Sequence, residues 1–181
     1  MTFRLIALHL QSRAALGPGT PEERRRREAA NRRRQYAEAV WLRARLEEHM
    51  ATGDELVLLG DFNDGPGYAT GAGPSIIELI AGDPARPERH LCNAFDPARL
   101  PASGPTPATA RFYDDEGQPD LAALVDFIWL TPELAARIRP TWRIWHPIDD
   151  PECRADAELH RALLDASDHF PVSVDLGGEP R

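Results

Sequence analysis

The sequence predicts an α/β (α+β) domain, and two observations lead to that prediction. Three short apolar runs are bounded by turn residues, which is the pattern of buried strands, at residues 3–10, 56–59 and 124–130. A long helical pattern, from residue 20 to about residue 50, separates the first run from the second. Strands that alternate with helices are typical of layered α/β folds, in which ligands bind where strands end.

Length and charge limit the protein classes that are compatible with this chain. At 181 residues it is long enough for one substantial core and too short for two comfortable domains, so we predict a single domain over residues 1–181. The net charge of −8 argues against a broad nucleic-acid surface, although a local basic rim remains compatible with it. All 21 basic residues are arginine, which indicates compositional bias.

The two cysteines and the hydropathy of the chain argue against a cysteine metal site, a membrane span and a signal peptide. Cys92 and Cys153 do not have the spacing of metal ligands. The sequence neither supports nor excludes a single disulfide between them. No apolar run approaches the length of a membrane span, and the first residues lack the pattern of a signal peptide. We therefore expect a soluble chain with no membrane span. The compartment and the oligomeric state are left open.

The first apolar run, residues 3–10, predicts a buried strand that begins at once, without a polar lead-in. Buried strands need neighbours on both sides, so we expect that earlier strands are missing from this sequence. His9 lies near the end of the run. It is either a satisfied core residue or part of a site.

The helix that follows has clear start and stop signals. Residues 20–23, TPEE, form a capping box with proline at the first helical position, and Gly53 ends the helix. Its arginine clusters at 24–27 and 32–34 indicate either nucleic-acid contact or a solvated face, and the interleaved glutamates favour the solvated face. Small and apolar residues predict a narrow buried stripe, formed by Ala29, Ala30, Ala37, Val40, Trp41 and Ala44.

The segment ELVLLGDFNDGPG, residues 55–67, joins the second strand to a polar turn. Asp61 and Asn63 occupy alternate positions, so in extended chain their side chains point to the same side. The carboxylate can then hold a water or a cation while the amide donates to an anion. The alternative is an ordinary turn without function.

The third strand carries Asp126 inside its apolar run. A buried carboxylate without a partner costs several kcal/mol, so the sequence predicts a partner for it. Asp168 and His169 precede the last predicted strand, either as site residues or as a surface turn. The shorter predicted elements are helices at 74–81, 131–138 and 157–164, strands at 91–95, 141–145 and 172–176, a hairpin arm at 110–113, and loops at 68–73, 97–107 and 147–154. The loop at 97–107 is a candidate substrate-facing element.

Four polar interruptions of apolar strands now form an ordered set. In sequence they are IALHLQS at 6–12, LLGDFND at 58–64, VDFI at 125–128 and SDHFPV at 167–172. This ordered set resembles the endonuclease/exonuclease/phosphatase superfamily, which has the deoxyribonuclease-I-like fold, over nearly the whole chain. The resemblance implies a four-layer α/β/β/α sandwich and hydrolysis of a phosphoester with Mg²⁺ or Mn²⁺. Carboxylates at several strand ends suit such a hard cation.

The resemblance also implies roles around the cation and the attacking water. Asp61 would position or deprotonate the water and share in metal binding. Asn63 would donate a hydrogen bond to a phosphate oxygen. Asp168 would bind the metal, directly or through water.

The remaining implied roles concern the phosphate. His169 would contact it or transfer a proton, with Asp126 as the buried partner that orients His169 and favours its charged form. His9 would face the phosphate from the opposite side, where its hydrogen bond strengthens in the transition state. Arg111 is an additional candidate for phosphate contact.

One departure from the family pattern affects the expected activity. The family carries an asparagine strand and a metal-binding glutamate upstream of the histidine strand, and this chain begins at that strand. We therefore expect an N-terminally truncated domain with weak or no activity. The alternative function is a non-catalytic binding module. An unrelated α/β domain would instead place His9, Asp61 and His169 far apart.

The substrate is less defined than the reaction. The turn after Asn63 is most similar to that of bacterial members of unassigned specificity. The acidic charge favours a small phosphodiester or a nucleotide over long duplex DNA, and nucleic acid remains open.

Overall fold

The computed structural model describes residues 2–15, 17–66, 75–93, 107–113 and 119–177. Within these residues the chain is a mixture of helices and small sheets, which confirms the α+β prediction. None of the helices in this part of the chain is long and apolar enough to cross a lipid bilayer. The strands are β1 (Arg4–His9), β2 (Leu56–Asp61), β3 (Cys92–Asn93), β4 (Ala110–Tyr113), β5 (Pro119–Ala123), β6 (Asp126–Leu130), β7 (Thr141–Ile144) and β8 (Val172–Asp175). The helices are α1 (Pro21–Ala51), α2 (Ile76–Ala81), α3 (Pro132–Ile138), α4 (Pro151–Ala155) and α5 (Ala157–Ala166).

The largest sheet has the strand order β1-β2-β6-β3. Strand β1 runs parallel to β2, with α1 as the crossover between them, and β6 pairs antiparallel with both β2 and β3. Two further antiparallel pairs are β4 with β5 and β7 with β8. The C-terminal ends of β1 and β2 therefore meet the N-terminal end of β6 at one edge of the sheet.

Apolar side chains cover the two faces of this sheet differently. One face, which includes Leu58 and Trp129, packs against α1 and α2. The other face, which includes Val57 and Ile128, packs against α3 and the β7–β8 pair. Alternation along β2 and β6 explains the division, since successive side chains of a strand point to opposite faces.

Strand β1 departs from its prediction as a buried strand. Its residues alternate between exposed and half-buried, and Leu5 is 59% exposed. Ile6 and Leu8 pack toward the helical core, whereas the opposite face of β1 is open. The prediction of burial was wrong because, among the described strands, β1 pairs with β2 alone and forms the edge of the sheet.

Helix α1 begins as predicted but buries a different face. The Thr20 side chain accepts from the Glu23 N–H at 3.2 Å, and the Glu23 carboxylate accepts from the Thr20 N–H at 2.7 Å, which is a complete capping box. The predicted alanine-rich stripe was wrong: Trp41 is 65% exposed and Val40 is 44% exposed. The buried face of α1 includes polar residues, so the hydropathy pattern predicted the wrong face. The members of the buried face are Gln35, Ala39, Leu42, Arg43 and Leu46.

Two smaller differences from the prediction concern where elements begin. The predicted acidic loop at 147–154 contains helix α4, because the Asp150 side chain accepts from the backbone N–H groups of Glu152 and Cys153 at 2.9 Å and 3.0 Å. Strand β6 begins at Asp126, so this carboxylate lies at a strand end and not within the run. The predicted loop at 68–73 lies outside the described residues, as do residues 97–106 of the predicted loop at 97–107.

Candidate active site

Pairing within the large sheet places three predicted site residues in one row. His9 of β1 is the register partner of Asp61 of β2, and Asp61 is the register partner of Asp126 of β6. Neighbouring strands lie about 4.8 Å apart, so three side chains on the same face of the sheet come within contact range. The His9 Nε2 atom lies 3.4 Å from Asp61 Oδ2. The structure therefore brings together residues that are 117 positions apart in sequence.

The fourth member, His169, reaches this row from the segment before β8. Its Nδ1 atom lies 2.9 Å from Asp126 Oδ2, which confirms that Asp126 has a partner. An isolated β-bridge to Ala110 and a backbone hydrogen bond to Ser167 Oγ, at 3.0 Å, hold the His169 main chain. The Phe112 ring contacts the imidazole edge to face, at 5.8 Å between centroids. The imidazole is thus held by the Asp126 carboxylate and packed against the Phe112 ring.

Burial and charge shift the pKa values of the central groups. Burial raises the pKa of Asp61, and the negative charge of Asp126 raises it further, against the effect of the Asn63 N–H. The hydrogen bond to Asp126 raises the pKa of His169, against the effect of burial. Asp61 is therefore a better proton acceptor than an ordinary carboxylate, and His169 keeps its proton to higher pH.

Three of these residues could hold a metal ion. One ligand atom each from Asp61, Asp126 and His169 lies within 4.8 Å of the other two, and all three residues are half-buried. Carboxylate oxygens suit Mg²⁺ and Mn²⁺, and imidazole nitrogen favours the softer transition metals. The donor set therefore fits a divalent cation.

Asp168 and Arg111 lie beside this cluster and not within it. The Asp168 residue is exposed, and its Oδ1 accepts from Ser167 Oγ at 3.4 Å. The Arg111 backbone N–H donates to the Asp168 carbonyl at 2.7 Å, which ties β4 to the His169 segment. Their predicted roles in metal binding and phosphate contact stay predictions.

Asn63 acts on Asp61 in this geometry. Its backbone N–H donates to Asp61 Oδ1 at 2.7 Å, and its side-chain amide donates to Asp61 Oδ2 at 3.0 Å and to the Leu10 carbonyl at 2.9 Å. The residue is 6% exposed and has a φ of 48°. Both side-chain amide protons therefore have partners within the protein, and the predicted bond to phosphate stays a prediction.

Sequence reasoning missed two buried side chains that support the site. Gln35 of α1 donates to the carbonyls of Phe62 and Asn63. Thr109 accepts from the backbone N–H groups of Val125 and Asp126, at 3.0 Å and 2.9 Å. A glutamine among helix arginines and a threonine after a proline-rich loop carry no sequence signal for such contacts. Only the fold brings their partners within reach.

The fold and the site together define an α+β protein with a carboxylate–histidine cluster at one sheet edge. Comparison with protein-family models, with curated proteins and with solved structures found no significant match. The family resemblance of the motifs therefore stays a prediction.

Proposed function

We propose that this protein is a phosphoester hydrolase that depends on Mg²⁺ or Mn²⁺ and directs a water at a phosphate. The observation that carries the proposal is the convergence of Asp61, Asp126 and His169 at one sheet edge, with ligand atoms within 4.8 Å of one another. Membership of the endonuclease/exonuclease/phosphatase superfamily, and its four-layer sandwich, belong to the same proposal.

Asp61 has the properties of the residue that orients the attacking water and accepts its proton. It lies at the centre of the row, between His9 and Asp126, and its Oδ2 atom is 3.4 Å from the His9 imidazole. Two hydrogen bonds from Asn63 fix the orientation of its carboxylate. A bound Mg²⁺ or Mn²⁺ would supply polarisation of a phosphoryl oxygen and a more acidic water, and Asp61 and Asp126 would hold it.

His169 has the properties of a donor to the phosphate. Its Nδ1 faces Asp126, so its Nε2 is the atom left to meet a substrate. Because its pKa is raised, the imidazolium persists to higher pH and can donate to a developing negative charge. His9, with a side chain 74% exposed, lies on the solvent side of Asp61 and would bond another phosphate oxygen.

The proposal is tested by hydrolysis of bis(p-nitrophenyl) phosphate with Mn²⁺ or Mg²⁺. Asp61→Asn and His169→Gln are expected to lower turnover by at least about 10²-fold each, since each removes a proton-transfer or charge-stabilising group. Asp165→Asn is the matched control, because Asp165 is an exposed carboxylate on α5. Turnover that persists in Asp61→Asn would contradict the proposal.

A thermal-shift measurement with the same ions separates hydrolysis from simple binding. An ion that binds the folded state raises the midpoint of unfolding. A Mn²⁺-dependent shift that Asp61→Asn and Asp126→Asn abolish, without any turnover, would favour the non-catalytic binding module. If the wild type shows neither a Mn²⁺-dependent shift of the unfolding midpoint nor turnover, the proposed metal site is contradicted.

A further inference from the structure

A buried polar network connects helix α1 to the turn that carries Asp61 and Asn63. Gln35 is fully buried on α1, and its Nε2 donates to the carbonyls of Phe62 at 3.1 Å and Asn63 at 2.8 Å. Its Oε1 accepts from Arg13 Nε at 3.2 Å. Both amide protons and the amide oxygen of Gln35 are thus engaged.

The network continues through an ion pair to the start of α2. Arg13 Nη2 bonds Asp64 Oδ1, and both side chains are largely buried. The second oxygen, Asp64 Oδ2, accepts from the Ile76 N–H at 2.8 Å. The loop after β1, helix α1, the turn after β2 and helix α2 are therefore joined at the site edge of the sheet.

This network acts on a residue in the left-handed region of backbone conformation. Asn63 has a φ of 48°, which few residues other than glycine adopt and which asparagine tolerates best among them. Hydrogen bonds of its carbonyl, its N–H and its side chain hold it there. Gln35 holds the Asn63 carbonyl, while the Asn63 amide and N–H hold both oxygens of Asp61. Gln35 is therefore linked to the Asp61 carboxylate through Asn63.

We infer that Gln35 is a positioning residue, which sets the Asp61 carboxylate for metal binding and for proton transfer through the Asn63 turn. The inference rests on the proposed function, and its metal-binding part can be measured without turnover. Residues outside the ligand set that orient ligands commonly change metal affinity by about 10–100-fold when they are substituted. We expect an effect of this size at Gln35.

Helix α1 offers a matched control in Arg43. It is also largely buried, at 8% exposure, and it donates to the backbone carbonyls of Ile80, Ala81 and Arg89 near the end of α2. These contacts support the fold and none of them involves the Asp61 turn. A substitution at Arg43 therefore reports the cost of losing a buried polar side chain of the same helix.

The experiment compares Gln35→Met with Arg43→Met in the full chain. The readouts are the Mn²⁺ dissociation constant from calorimetry, the kcat and KM for bis(p-nitrophenyl) phosphate per folded molecule, and the unfolding midpoint. Gln35→Met is expected to weaken Mn²⁺ binding by about 10–100-fold and to lower kcat. Arg43→Met is expected to lower the midpoint while the folded fraction keeps its Mn²⁺ affinity and kcat.

A second variant covers the case in which Gln35→Met does not fold. Gln35→Glu keeps the volume and the contact with Arg13 but places an oxygen against the carbonyls of Phe62 and Asn63. It is expected to fold and to show the same loss of Mn²⁺ affinity. Wild-type Mn²⁺ affinity in this variant would overturn the inference.

The outcomes also separate this inference from the proposed hydrolase. If the wild type turns over substrate and both Gln35 variants match Arg43→Met per folded molecule, the positioning role is wrong and the hydrolase stands. If the wild type binds Mn²⁺ in a Gln35-dependent manner without turnover, the positioning role stands and the hydrolase is wrong. If Mn²⁺ does not bind the wild type, the positioning role is also wrong.

Discussion

At the scale of single residues, Asp126 shows how one carboxylate can serve the fold and the site. Its Oδ2 atom lies 2.9 Å from His169 Nδ1, and its backbone N–H donates to buried Thr109. The side chain is 19% exposed, so water screens its interaction with His169 only in part. Asp126 therefore favours the charged form of His169 from a hydrogen-bonded position at the start of β6.

We predict that Asp126→Asn lowers the pKa of His169 toward its usual range. The hydrogen bond to Asp126 is the main cause of the raised pKa, and an amide carries no charge to favour the imidazolium. NMR titration of the His169 ring protons measures the change. Asp168→Asn is the control and should lower the pKa less, because Asp168 is the weakest of the causes that raise it. Equal effects of the two substitutions would contradict the assignment.

The same pair predicts a pH dependence of stability. Because the folded pKa of His169 is raised, its stabilising contribution is complete below the usual histidine pKa of about 6.5. That contribution is lost as pH rises through the folded pKa. Chemical denaturation between pH 5 and pH 9 should therefore show a smaller decline for Asp126→Asn than for the wild type.

At the scale of secondary-structure elements, the contact between β1 and β2 depends on one glycine. Gly60 has a φ of 139°, and a Cβ added there would lie 1.9 Å from the Leu8 carbonyl oxygen of β1. Residue 60 lies one position before Asp61, so a displaced backbone would also disturb the register of Asp61 with His9. Glycine is thus required where β2 meets β1 beside the site.

We predict that Gly60→Ala is more destabilising than Gly53→Ala. Both glycines have positive φ, which costs a side chain about 1–3 kcal/mol, but no atom of the described residues lies within 4 Å of a Cβ at Gly53. Overpacking against Leu8 adds about 1–3 kcal/mol at Gly60 alone. Urea denaturation of the two variants measures the difference. Equal free energies of unfolding for the two variants would contradict the prediction, because they would show that β1 moves away from the added methyl group without loss of stability.

Helix α4 depends on a carboxylate that sequence hydropathy could not identify. The Arg143 guanidinium bonds both oxygens of Asp150, at 2.7 Å and 2.8 Å, and holds the pKa of Asp150 well below its usual range. Asp150 also accepts from the backbone N–H groups at the start of α4. One side chain thereby joins β7 to the helix that follows it.

We predict that Asp150→Asn weakens the dependence of stability on acid pH. A lowered carboxyl pKa contributes stability above the unfolded pKa, which is about 3.9, and that stability is lost as pH falls through the folded pKa. The wild type should therefore lose more stability than the variant as the pH falls below 4. Thermal unfolding at a series of pH values measures this, with Asp165→Asn as a control that keeps the wild-type dependence. An unchanged profile in Asp150→Asn would contradict the assigned role.

At the scale of the whole molecule, net charge bears on the substrate. A charge of −8 repels long polyanions, and this repulsion is screened by salt over about 10 Å at 0.1 M ionic strength. A small phosphodiester carries one negative charge, so it meets a much smaller repulsion. The overall field therefore favours a small ester over duplex DNA.

We predict that salt leaves plasmid nicking by this protein unchanged or increases it. A surface that binds DNA by replacing counterions loses affinity steeply as salt rises, whereas a repelled substrate gains from screening. Nicking assays at 20 mM and 150 mM KCl distinguish a DNA-binding surface from a surface that repels DNA. Bis(p-nitrophenyl) phosphate is the reference substrate. A steep fall of nicking with salt would instead assign the arginine-rich start of α1 to DNA contact.

The sequence by itself determined most of the strands, the long capped helix and the carboxylates and histidines that meet at the end of β2. Local signals suffice for these features: apolar runs, a capping box, and acids or histidines at strand ends such as Asp61 and His169. The α+β class follows from the order of those elements.

Only the tertiary structure decided which faces are buried and which polar groups meet. Leu5 is exposed because β1 is an edge among the described strands, and Gln35 is buried because α1 crosses the turn after β2. The row from His9 to Asp126 depends on the register between strands that are distant in sequence. Burial, register and hydrogen-bond partners are long-range properties, so hydropathy and motifs along the chain do not contain them.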